Sequence, residues 1–358
     1  MTRCNRNTTL NTPTPYRQSP HPRWKRRRPL LLLAAAVLAV SVGGACAVGA
    51  YPVPFADVIR ILFTGSSGVA GDPAVTVVLQ LRLARALLAL FAGAGLAVSG
   101  VVFQGILRNP LADPFTLGVS GGAAFGAALA IALGLAAPLY PLAALAGAGA
   151  ALALVLLLAT SRGALGRETL VLAGVVVSAF LAALIALVKA LDEDSVAGIV
   201  FWIMGSFQGR GWHDMPVLLP GLVLGCIPVV LLARELDFLS LGDADARHLG
   251  VNATAARFWL LLGASAVAAS CVAVSGIIGF VGLVVPHLVR LAIGARHAPL
   301  LAASAFCGGI LLLWSDVVAR SLLPDGVELP VGVITALLGG PFFCYLLRRA
   351  GRREGRLS

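Results

Sequence analysis

The chain has 358 residues, 59% of them hydrophobic and only 12% charged, with a mean hydropathy of +0.93 and a formal net charge of +11. A soluble domain carries roughly 25% charged residues, so a water-soluble enzyme or carrier is excluded and the composition defines a polytopic membrane protein. The 41 glycines agree, because lipid supplies no hydrophobic drive between helices and small residues let backbones approach closely.

Residues 1–28, rich in Thr, Asn, Pro and finally Arg, read as a disordered basic cytoplasmic tail. A transmembrane domain follows over 29–350, where apolar runs of about 20 residues predict ten spans. They lie near 29–49, 83–105, 116–134, 139–160, 169–190, 213–233, 256–275, 277–293, 299–321 and 331–347. Residues 351–358 form a basic cytoplasmic C-terminus. The cations before the first span and Ala45-Cys46-Ala47 after it resemble a signal peptide, but a run of about 20 residues exceeds the usual core of such peptides, so it is retained as a span. After the second span the chain breaks at Arg108-Asn109-Pro110. A polar break of this kind belongs at a membrane surface or beside a protein-lined cavity, since exposed backbone groups find no water in lipid.

The cations orient the spans. With the N-terminus cytoplasmic, only Arg60, Arg82, Arg85, Lys189, Arg210 and Arg320 of the 27 Lys and Arg fall outside, and 21 fall inside. Both ends are then cytoplasmic, and the net charge is a topology signal that makes nucleic-acid binding an unneeded explanation. The six cysteines show no close spacing and the five histidines are scattered, so neither a disulfide framework nor a metal site is indicated. Ion-coupled carriers need ionisable groups at mid-membrane. Here the one acid well inside a span is Asp316, four residues before Arg320 on one helix face, a spacing that predicts a local ion pair. No GxxxxGK[ST] loop is present, so nucleotide energy would have to come from a separate protein.

AVSGVVFQGILRNPL from Ala97 matches AVSGIIGFVGLVVPHL from Ala273, with Gly100 and Gly276 lying 176 positions, or five spans, apart. Halves related in this way would insert in opposite directions, and inverted repeats are characteristic of transporters.

The blocks RLARALLALFAGAGLAVSG, QGILRNPLADPFTLGVSGGA, LAGVVVSAF, FWIMGSF, LGDADARHLGVN, SGIIGFVGLVVPHLVRL, WSDVVARSLL and ELPVGVITALLGGPFFCYLL occur in this order over roughly 29–350. Together they closely resemble the FecCD-type permeases, the membrane subunits of ABC importers for iron-siderophores, haem and vitamin B12. The chain departs from the family pattern at Ala84, where a proline is usual between the two arginines, and in its long N-terminal tail. The resemblance implies an all-α, type II ABC importer permease fold with about ten transmembrane helices and an inverted internal repeat. It implies a permease subunit, with no catalytic residue, cofactor or metal of its own, in a bacterial plasma membrane. Its implied partners are a dimer of ABC ATPase subunits, an extracytoplasmic substrate-binding protein, and a second permease copy or a paralogue. Arg82, Arg85 and Arg320 fall at family positions that face acids of the binding protein. Asn109 and Leu111 fall at a cytoplasmic constriction. Gly242, Asp243, Asp245, Arg247, His248, Leu249 and Gly250 fall on the short helices that seat in the ATPase. Ferric siderophores are the expected cargo, with haem or vitamin B12 as the alternative. An ion-coupled secondary transporter is the competing class.

Overall fold

A computed structural model describes residues 24–69, 71–161, 164–324 and 326–354. The chain divides into two compact units, Met1–Val37 and Leu38–Ser358. Of the expected tail, residues 1–23 lie outside the described residues, while Trp24 onward is already helical in α1 (Trp24–Ala47). At the other end α15 (Val331–Glu354) takes the first four residues of the expected basic terminus, and 355–358 lie outside the description.

After α1 comes α2 (Phe55–Thr64), then a continuous rod of 35 residues, Pro73–Leu107. The rod joins α3 (Pro73–Thr76), a π-helical turn (Val77–Arg82) and α4 (Leu83–Leu107). Hydropathy predicts this span from 83, but the helix starts ten residues earlier. Asp72 caps it by accepting from the Ala74 amide at 2.8 Å, and Pro73 occupies the first helical position. The chain continues through α5 (Val119–Ala132) and α6 (Tyr140–Ala159), a two-residue hairpin of β1 (Thr160–Ser161) and β2 (Ala164–Leu165), α7 (Arg167–Leu191) and α8 (Val196–Ile203). Next come α9 (Met215–Leu231), the short α10 (Ala233–Leu241) and α11 (Asp243–His248), α12 (Ala253–Ser275), α13 (Val281–Ile293), α14 (His297–Ser321) and α15.

Among the described residues six helices are long and apolar enough to cross a membrane. Four shorter apolar helices, Leu31–Ala47, Val119–Ala132, Val281–Ile293 and Val331–Cys344, fall where the remaining four of the ten predicted spans lie. The spans are not equivalent. Their most apolar windows are 83% buried in the α4 rod and 78% in α12, against 22% in α7, so α4 and α12 form the inside and α7 faces outward. Small residues put α4 there. A Cβ at Gly308 of α14 would lie 2.6 Å from the Gly93 carbonyl oxygen, and one at Gly100 would overlap the Gly282 carbonyl of α13. Helix backbones therefore meet with no side chain between them.

The two stretches matched in the sequence take different local forms. From Ala97 the chain stays helical to Leu107, whereas from Ala273 the helix ends at Ser275 and restarts at Val281. Gly276 at φ 70° and Phe280 at φ 67° make that interruption. Protein groups cover its start: Ser275 O accepts from the Ser206 amide at 2.7 Å, the Gly276 amide donates to Val272 O at 2.8 Å, and Gly276 O accepts from the Ser275 hydroxyl at 3.1 Å. Irregular backbone in a membrane protein needs this kind of cover.

Candidate functional site

Two clusters sit towards opposite ends of α4. The first holds Arg82 and Arg85 beside Asp316 and Arg320 of α14. Arg82 is 5% exposed, and its guanidinium donates to Cys46 O at 3.0 Å and to the carbonyls of Ala47 and Tyr51. Arg320 donates to Ala45 O at 2.5 Å. The last carbonyls of a helix have no intrahelical partner and carry its negative pole, so these two arginines close the C-terminus of α1. Arg85 is bidentate to both acids around it, at 2.8–3.2 Å to Asp316 and 2.8–3.0 Å to Glu328. The ion pair that the sequence predicts between Asp316 and Arg320 is present, with Arg320 Nε 3.8 Å from the carboxylate, but the hydrogen bonds to Asp316 come from Arg85. Nor do Arg82 and Arg320 present free forks outward: both are buried and turned onto main-chain carbonyls. Arg82, Arg85, Arg210, Arg320 and Glu328 nevertheless line one cavity of about 640 Å³.

The second cluster begins where α4 ends. Arg108 takes the left-handed conformation, φ 48° and ψ 37°, at the position helices usually give to glycine, and the Asn109 amide donates back to Gln104 O at 3.2 Å. Asn109 Oδ1 accepts from the Leu111 amide at 2.9 Å, and the Ala112 amide donates to Asn109 O at 3.0 Å, making a compact turn with Asn109 and Leu111 exposed. Asp113 accepts from the Phe115 and Thr116 amides, and burial pushes its carboxyl up to about 6 against those two bonds.

Beside this turn lie α10 and α11. Gly242 separates them at φ 156°, ψ 151°, a region essentially restricted to glycine. Gly250 at φ 81° closes α11, with its amide on Arg247 O and the Val251 amide on Ala246 O, a Schellman ending. Asp245, Arg247, His248 and Leu249 are exposed, and Leu241 joins them at 63% exposure. Asp243 behaves differently from its neighbours. It accepts from Arg257 Nη2 at 2.8 Å, with Arg108 at 3.8 Å and Arg167 at 4.0 Å. Partial burial raises its carboxyl, but the Arg257 bond and the three nearby arginines outweigh that and hold it below the ordinary carboxylate range. Arg257, 3% exposed, also donates to the Leu165 carbonyl and so ties the hairpin to α12 and α11.

Sequence reasoning missed Arg257, Glu328 and the reach of Arg108. Arg257 left one signal, a lone cation near the start of an apolar run, which calls for a buried partner. Glu328 left none, since its partner is 243 residues away.

These features describe a multi-span membrane protein with structured loops at both ends of its central helix. Residues 31–349 match the FecCD transport family. The chain is 39% identical to the Fe(3+)-citrate import system permease protein YfmE of Bacillus subtilis, over 92% of this chain and 98% of that one. It is 43% identical to the cobalamin import system permease protein BtuC of Halobacterium salinarum, over 77% and 74%. A solved structure of a metal-chelate-type ABC transporter in an inward-facing conformation superposes with a TM-score of 0.78 at 35% identity, covering 90% of this chain and 99% of the other. The chain belongs to the FecCD transport family: it is a multi-pass permease subunit of an ABC importer in the inner membrane, not an enzyme.

Proposed function

We propose that this permease imports ferric siderophores through a pathway formed with a second copy or a paralogue. Two ABC ATPase subunits drive it from the cytoplasm, and an extracytoplasmic binding protein delivers the cargo. The carrying observation is the division of labour along α4: an arginine-lined cavity at its start and, at its end, an exposed turn beside two short helices with exposed polar and apolar side chains. Both termini are then cytoplasmic, in keeping with 21 of 27 cations on that side. The binding protein docks over the cavity that Arg82, Arg85 and Arg320 line, at whose edge Glu328 is 21% exposed. Asn109 and Leu111 form the constriction at the cytoplasmic mouth. The segment from Gly242 to Gly250 seats in the ATPase through Asp245, Arg247, His248 and Leu249, while Asp243 holds the segment to the permease body.

The relative named for Fe(3+)-citrate, matched nearly end to end, supports an iron-chelate cargo. Uptake of radiolabelled ferric siderophore, haem and cobalamin by cells with and without this chain is the test. Gene-dependent uptake of the siderophore alone is expected; uptake of haem or cobalamin instead would replace the cargo and leave the machinery intact. Co-purification of an ATPase and a binding protein with the tagged permease tests the assembly, and its absence would favour an ion-coupled carrier.

A further inference from the structure

Among the described residues only Arg108 and Phe280 are non-glycine residues with positive φ. Arg108 spends that strain on aim. The left-handed turn at the end of α4 directs its side chain onto α10, where Nε donates to Leu239 O at 2.9 Å and Nη2 donates to the same oxygen. Leu239 lies in the last turn of α10, whose carbonyls lack helical partners. Nη2 also stands 3.8 Å from Asp243 Oδ1, and a Cβ at Gly242 would be 3.7 Å from it. One guanidinium thus grips the hinge between α10 and α11. Its own backbone begins the turn whose internal bonds fix Asn109 to Leu111.

We propose that Arg108 is a positioning residue, a strut that carries displacement of α10 and α11 to the turn at 109–111. Its charge alone does not explain the attachment. Around it Arg167 and Arg257 share Asp243, and Arg257 holds the shorter bond at 2.8 Å, so the grip on Leu239 O supplies the geometry. A planar fork that puts two donors on one oxygen transmits direction, which a lysine ammonium on a flexible stem does not. The inference rests on the proposed seat at 242–250 and constriction at 109–111.

The test uses the full transporter, permease with its co-purified ATPase and binding protein, in nanodiscs and in proteoliposomes. Arg108→Gly is the informative variant, because glycine adopts the left-handed conformation freely and only the side chain is lost. Arg108→Lys keeps the charge and serves if the glycine variant assembles poorly. Readouts are ATP hydrolysis, cargo imported per ATP, and the distance between spin labels at Leu111→Cys of the two permease copies with and without a non-hydrolysable nucleotide. Hydrolysis is expected within about twofold of the parent, with cargo per ATP reduced about tenfold or more and a Leu111 distance that no longer responds to nucleotide. Arg108→Lys should show the same defect in weaker form. Parent-like coupling and nucleotide response in both variants would overturn the strut. Arg247→Ala with Leu249→Ala, which leave Arg108 untouched, separate the premise: if they do not weaken ATPase co-purification, the seat is wrong and the strut falls with it. If they do and Arg108→Gly couples normally, the strut alone fails.

Discussion

Arg85→Ala distinguishes an arginine held for docking from one that holds the fold. Its side chain is 11% exposed, Asp316 is 3% exposed, and Glu328 is 21% exposed. Without Arg85, Asp316 would keep only Arg320 Nε at 3.8 Å, beyond hydrogen-bond reach, in an almost closed site. Removing one partner of a buried ion pair costs about 3–5 kcal/mol, and loss of the more exposed Glu328 pair adds at most about 1 kcal/mol. In a chain of this size that lowers Tm by about 4–8 °C, whereas a solvent-facing arginine shifts stability by about 0.5 kcal/mol or less. Thermal unfolding of purified permease, followed by size-exclusion chromatography, reads the difference. Arg85→Met with Asp316→Leu should recover part of the loss, because the buried Asp316 charge goes while Glu328 and Arg320 still lose a partner. An unchanged Tm for Arg85→Ala, or no recovery in the double variant, would refute the assignment of Asp316 to Arg85.

Asp243 and Arg247, neighbours on α11, should part company. Arg247→Ala leaves thermal stability unchanged and lowers uptake, whereas Asp243→Asn lowers Tm because Arg257 loses its carboxylate; equal effects in a paired stability and uptake assay would contradict the division. Asp113 has a folded-state pKa raised to about 6 from an ordinary 3.8, so the folded form binds its proton more tightly and stability falls as pH rises between those values, then levels off. Asp113→Asn, which keeps an oxygen for the two amides, should lack that component, and Tm measured from pH 4 to 7.5 against the parent checks it. A cysteine at the exposed Ser66 should react with an impermeant maleimide from outside, and one at Ser358 only after the membrane is opened; outside labelling at Ser358 would overturn the ten-span topology.

The spans were legible because lipid demands long apolar runs, and hydropathy sees those directly. What it missed before α4 was residues 73–82, apolar but for Thr76, Gln80 and Arg82, because a run of about 20 residues from 83 already spans the bilayer; Asp72 and Pro73 were the start signals. The ion pair of Asp316 shows the limit of spacing rules. The partner four residues away on the same helix was readable, and it is there at 3.8 Å; the hydrogen-bonding partner, 231 residues away on α4, was not. The segment at 242–250 was legible as charged, but only the fold separates Asp243, turned inward to Arg257, from the exposed Asp245 and Arg247.

The packing of α4 also decides how its two ends can communicate. Arg85 and Arg108 are 23 residues apart on a continuous helix, about 35 Å along its axis. Backbone contacts at Gly93 with Gly308 and at Gly100 with Gly282 lock the rod to α14 and α13 with no intervening side chains. A close-packed interior resists sliding, so a small displacement at the arginine cavity is not simply pushed down α4 to the turn at its far end. The turn at 109–111 is attached differently: it hangs beyond the last helical residue and touches α10 through Arg108, outside the locked stretch. If the strut proposed for Arg108 holds, displacement of the short helices reaches that turn through Leu239 and Arg108 without sliding the locked rod, and a variant that loosens the Gly93–Gly308 contact should leave that coupling in place.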